Sequence, residues 1–110
     1  MFGISRSPAQ NLDASQLHKA LKASEVVLVD VRERDEHRAE RIEGATNMPL
    51  SQFDPAALPV VSGKTVVLHC AGGVRSARAI EACQRAGVDV RHHLQGGINA
   101  WKAAGLPTVR

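Results

Sequence analysis

Two short aliphatic runs constrain this chain more than anything else in it. Val26-Val27-Leu28-Val29-Asp30-Val31 is β-branched almost throughout, without the polar alternation of a strand that has one wet face. Such a run suits a parallel strand covered on both sides. Thr65-Val66-Val67-Leu68-His69 is a second apolar strand, and parallel neighbours need crossover segments between them. Helical patterns supply these. Asp13 can cap a first helix, with Gln16 at the capping-box position, Leu12 and Leu17 at staple spacing, and Leu17, Ala20 and Leu21 as its stripe. Residues 33–41 form a densely charged helix or turn, and Asp54-Pro55 opens a short helical turn. A helix over about 76–86 buries Ala79, Ala82, Cys83 and Ala86 and stops at Gly87. A strand over about 88–94 precedes Gly96-Gly97, and a final helix over about 98–104 ends at Gly105 with Pro107 beyond. Strands alternating with helices place the chain in the α/β class with a mainly parallel sheet. Residues 1–11 read as a loosely docked arm and 12–110 as one domain, with no repeat or linker.

The bulk numbers agree. A chain of 110 residues has room for one core, and 44% hydrophobic with 23% charged residues is a globular balance. Aromatic residues are few (Phe2, Phe53, Trp101), so Val, Leu, Ile and Ala must build the interior. A net charge of +3, from 14 basic and 11 acidic residues, is too mild for nucleic acid and supports at most a preference for small anions. Arg32, Arg34, Arg38 and Arg41 are interleaved with Glu33, Asp35, Glu36 and Glu40, the pattern of a solvated face. No secretory h-region or membrane-length run is present, and Cys70 and Cys83 make no disulfide framework. The expectation is a cytoplasmic, reduced protein without membrane partners, monomeric by default.

The chemistry gathers at Cys70-Ala71-Gly72-Gly73-Val74-Arg75-Ser76. A cysteine that ends a strand and precedes a helix meets converging backbone N–H groups and a helix N-terminus, both of which favour negative charge. That setting yields a thiolate nucleophile near neutral pH. Gly72 and Gly73 let the backbone wrap tightly, and Arg75 adds a guanidinium able to grip an oxyanion. Loops at the carboxyl ends of strands are also where open α/β sheets bind ligands.

Three stretches in order then resemble a single-domain rhodanese, a thiosulfate- or persulfide-type sulfurtransferase. They are Val29-Asp30-Val31-Arg32-Glu33 with Glu36, Ile42, Gly44-Ala45, Asn47 and Pro49-Leu50; the loop Cys70 to Ser76; and Leu94, Gly96-Gly97, Ala100-Trp101 and Gly105-Leu106-Pro107. The resemblance covers roughly residues 12–108 and implies a three-layer sandwich, a mainly parallel central sheet flanked by helices. It departs from the family at Glu40-Arg41-Ile42-Glu43, where a Gly-His-Ile-Pro run is common. The implied chemistry passes a sulfane sulfur from thiosulfate or a persulfide, through a Cys70 persulfide, to cyanide or to a thiol that can belong to a protein. Backbone N–H groups of residues 71–75 would stabilise the persulfide, and Arg75 would bind the sulfonate of thiosulfate. No cofactor is implied.

Other residues have two readings. Ser76 donates to the thiolate or caps the helix; Asp30 and Arg32 border the site or form a structural ion pair. Arg78 adds potential at the loop mouth or is merely solvated. Cys83 lies about 10 Å along the helix from Ser76, beyond disulfide reach, and packs. His69, His92 and His93 lack metal spacing, and neighbours on a strand face opposite ways, so no metal is expected. Trp101 anchors the last helix. The rivals are a non-catalytic binding module, a sulfur carrier fed by a partner protein, and a cysteine phosphatase. The last is disfavoured because only Ala71, Gly72, Gly73 and Val74 separate Cys70 from Arg75.

Overall fold

The computed structural model describes residues 10–110. Five strands form one sheet, β1 (Gln10–Leu12), β2 (Val26–Asp30), β3 (Thr46–Asn47), β4 (Thr65–His69) and β5 (His92–Leu94), in the order β1-β5-β4-β2-β3 with every pairing parallel. Four α-helices cross between or follow them: α1 (Ala14–Lys22), α2 (Arg34–Ala39), α3 (Val74–Arg85) and α4 (Gly97–Ala103). Two single 3-10 turns, Leu50–Gln52 and Pro55–Ala57, fill the connection after β3.

Strand alternation sorts the aliphatic residues into two layers of core. Val29, Val31, Val66, Leu68 and Cys70 pack with Ala79, Ile80 and Cys83 of α3 on one face. Leu28, Val67 and Leu94 pack with Ala14 and Leu17 of α1 and Ile98 and Trp101 of α4 on the other. A helix layer on each face of a parallel sheet is the sandwich that the resemblance implies. The two central strands have no wet face, which is why their sequences do not alternate.

Local signals hold at α1. The Gln16 N–H donates to Asp13 Oδ1 at 2.8 Å and the Asp13 N–H to Gln16 Oε1 at 2.9 Å, a reciprocal cap. Caps of this kind contribute about 1 kcal/mol. Trp101 anchors α4, buried and donating from Nε1 to the Pro107 carbonyl at 2.8 Å.

Three boundaries differ from the expected ones. β1 begins at Gln10, so Gln10 and Asn11 join the sheet edge opposite His92 and His93; the rest of the expected arm lies outside the described residues. β5 is confined to His92–Leu94, because the Val90 N–H turns back to the Val88 carbonyl at 2.9 Å instead of joining the ladder. α3 starts at Val74 rather than near residue 76, because Gly73 takes φ +110 and serves as its N-cap.

Candidate active site

β4 carries Cys70 to the carboxyl edge of the sheet between β2 and β5, and the chain turns through Ala71, Gly72 and Gly73 into α3. The positive φ at Gly73 is open to glycine and costly for other residues. It folds the first turn of α3 over the sulfur. The Gly73 N–H donates to Cys70 Sγ at 3.1 Å and the Ser76 N–H at 3.3 Å, while Ser76 Oγ lies 3.6 Å away. Cys70 is only 1% exposed. Burial by itself would raise the thiol pKa. The Ser76 hydroxyl and the N–H groups of Ser76, Gly73 and Arg75 outweigh it, so the net shift is downward, toward thiolate.

The far side of the loop is tied to α4. The Ile98 N–H donates to the Cys70 carbonyl at 2.9 Å and the Asn99 N–H to the Ala71 carbonyl at 3.1 Å. These are N–H groups that a helix start cannot satisfy internally. Such close approach needs Gly97: a Cβ there would collide with the carbonyl oxygens of Cys70 and Ala71.

Around the loop, the structure assigns most of the sequence-derived residues to definite contacts. Ala71 and Gly72 line the turn, and Val74 stands 66% exposed beside it. Ser76 is buried and touches the sulfur, while the cap position belongs to Gly73. Arg75 is the principal departure. Its two terminal nitrogens donate to the two carboxylate oxygens of Glu36 at 2.7 and 3.0 Å, so the guanidinium expected to receive a sulfonate is already held. The pair raises the Arg75 pKa and holds the Glu36 carboxyl below its ordinary value.

Asp30 and Arg32 form a buried ion pair, with Arg32 donating from Nε at 3.0 Å and from Nη2 at 2.8 Å. His37 Nδ1 lies 2.9 Å from the same carboxylate, and Asn47 Nδ2 donates to the Asp30 and Arg32 carbonyls. Burial opposes ionisation of Asp30, but Arg32, His69 and His37 together hold its pKa below the ordinary value. The Val31 N–H donates to the His69 carbonyl at 2.8 Å, so this braced strand end supports the residue before the nucleophile. Arg78 is exposed on the second turn of α3. Cys83 is buried on the apolar face of α3, and burial pushes its thiol up to about 11, so it is inert at neutral pH.

The carboxylate that meets Arg75 and the imidazole that meets Ser76 were not singled out from the sequence as part of the site. Glu36 belongs to the charged helix, whose pattern does not say which carboxylate reaches across to α3. His93 Nδ1 lies 2.9 Å from Ser76 Oγ. Its signal is strand periodicity: Leu94 faces α1 and α4, so His93 must face α3.

The geometry is that of a strand-end cysteine under a helix start. The comparisons agree, since the rhodanese-like domain model matches residues 13–104. The chain belongs to the rhodanese-like domain family. It is 49% identical over 85 residues to an uncharacterized protein of Synechocystis, covering 77% of this chain and 48% of that protein. It is 31% identical over 99 residues to a sulfurtransferase of Allochromatium vinosum, covering 89% of this chain and 92% of that one. A rhodanese-related protein from Thermoplasma volcanium superposes with a TM-score of 0.77 at 29% identity, covering 91% of this chain and 97% of that one. The rhodanese-like chain spans about half the length of several curated relatives that it matches. Among the described residues, no group of His, Cys, Asp and Glu side chains is arranged to hold a metal ion, and no helix is long and apolar enough to cross a membrane.

Proposed function

We propose that this chain is a sulfurtransferase that carries a sulfane sulfur on Cys70. The observation that carries the reading is the sulfur itself, buried yet surrounded by the N–H groups of Gly73 and Ser76 and the Ser76 hydroxyl. The Cys70 thiolate attacks the outer sulfur of thiosulfate or of a persulfide. A Cys70–sulfur bond forms as the donor's sulfur–sulfur bond breaks, and sulfite or a thiolate leaves with the bonding pair. The new persulfide anion takes up the same N–H groups, which are already oriented. An acceptor thiolate, or cyanide in an assay, then attacks the terminal sulfur and returns Cys70 to its thiolate. The mechanism calls on no general base, because the hydrogen bonds of the loop themselves favour the thiolate. The Allochromatium vinosum sulfurtransferase supports this reading at the level of the family.

Intact mass after incubation with thiosulfate, and separately with a small-molecule persulfide, tests it. The expected result is a gain of one sulfur atom, absent in Cys70→Ser and reversed by cyanide with release of thiocyanate. Folded protein with a free thiol that gains no sulfur from either donor would make the domain a binding module instead.

A further inference from the structure

Ser76 has one hydroxyl hydrogen and three polar neighbours. Its Oγ lies 3.2 Å from the Gly73 carbonyl oxygen, 2.9 Å from His93 Nδ1 and 3.6 Å from Cys70 Sγ. The carbonyl can only accept. His93 Nδ1 accepts in one neutral tautomer and donates in the other. When it accepts, it draws the hydroxyl hydrogen toward the imidazole and away from the sulfur. When it donates, it ceases to compete, and the hydrogen is left to the Gly73 carbonyl or to the sulfur. A thiolate is charged and attracts it more strongly.

We propose that His93 is a positioning residue of this site, whose Nδ1–H holds the Ser76 oxygen so that the hydroxyl hydrogen turns to the Cys70 thiolate. The inference rests on the proposed role of Cys70 as nucleophile. The backbone of His93 is fixed on both sides, opposite Leu68 of β4 and Asn11 of β1, which aims its ring at α3. His93 is 8% exposed, and this burial lowers its pKa and so favours the neutral imidazole with a single ring hydrogen. When Cys70 ionises, the thiol proton leaves to water, the His93 hydrogen stays on Nδ1, and no proton passes between the three side chains. The other groups around Cys70 are differently engaged. His69 Nδ1 lies against the Cys70 carbonyl, Arg75 pairs with Glu36 of α2, and Asp30 pairs with Arg32 at the end of β2. Among the described residues, Ser76 and His93 form the side-chain link from the sulfur to β5.

The test is the pH dependence of Cys70 alkylation by iodoacetamide, read by mass at the modified residue, in the native protein, His93→Leu and His93→Asn. An asparagine amide nitrogen can stand where Nδ1 stands; leucine fills the space without a donor. The Leu variant should move the midpoint up by about half to one pH unit, three- to tenfold slower alkylation well below it, and the Asn variant should restore it. In the native protein, nitrogen-15 correlation spectra should show His93 protonated at Nδ1 above the Cys70 midpoint, a reading that survives a variant that fails to fold. An unshifted Leu variant, an Asn variant shifted as far as the Leu one, or the Nε2–H tautomer above the midpoint overturns the proposal. Alkylation requires no sulfur transfer. The expected profile in a protein that never gains sulfur would sustain the role of His93 while overturning the sulfurtransferase reading.

Discussion

In the sulfur transfer proposed for Cys70, replacing Glu36 by Gln should improve the use of thiosulfate. The Arg75 and Glu36 side chains are 29% and 38% exposed and neutralise one another at the loop mouth, so an approaching sulfonate meets no net positive charge from them. Glutamine leaves Arg75 with its full charge. A guanidinium and a sulfonate at about 4 Å attract by roughly 1 kcal/mol in water and about 4 kcal/mol at an effective dielectric of about 20. With both side chains partly solvated the lower figure applies, and about 1 kcal/mol is about fivefold in kcat/KM. The assay is initial-rate thiocyanate formation across a thiosulfate series, with a persulfide of a neutral thiol as the comparison donor. The gain should be specific to thiosulfate and should shrink at about 1 M salt, where the screening length falls to about 3 Å. An unchanged or lower thiosulfate kcat/KM would refute the argument, because it would mean that Arg75 serves the site only while paired. The pair contributes about 1 kcal/mol or less to folding, so loss of structure should not intrude.

Gly97→Ala should lose about 2–5 kcal/mol in urea denaturation, from the strained φ of +61 and from crowding of the Cys70 and Ala71 carbonyls. If the variant keeps its stability, the close approach is softer than described. Asp30→Asn should cost about 3–5 kcal/mol at neutral pH, since it leaves the Arg32 charge buried without its partner. The Asp30 pKa is lowered on folding from 3.8, so its contribution is complete above that value and is lost as pH falls through the lower folded value. The gap in denaturation midpoint between the native and Asn proteins should therefore begin to narrow below about pH 4, and a constant gap down to acid pH would contradict the assignment.

The layered fold was legible because its two central strands carry unbroken aliphatic runs and its helices begin and end on capping residues and glycines. The nucleophile loop was legible for the same reason: strand, paired glycines and helix start are contiguous. Edge elements were not. Gln10-Asn11-Leu12 and Thr46-Asn47 are strands by virtue of the neighbour they pair with, Gln10 opposite His92 and Thr46 opposite Val29. The engagement of Arg75 was also hidden, because Glu36 lies 39 residues away and any of several carboxylates in the charged helix could have served. Charge patterning shows that residues 33–41 are solvated, but not which one turns inward. His93 stood between these cases, since alternation gives its face but not the serine it meets.

The bonds from Ile98 and Asn99 to the loop carbonyls tie the shape of the turn to a helix distant in sequence. The turn that cradles Cys70 is closed from behind by α4, so its shape belongs to the assembled fold and not to the strand–turn–helix segment alone. Without α4, the carbonyls of Cys70 and Ala71 would lose the N–H groups of Ile98 and Asn99 that hold them. A local opening that lifts α4 away should loosen the turn around the sulfur, while the N–H groups of Gly73 and Ser76 remain part of the loop itself.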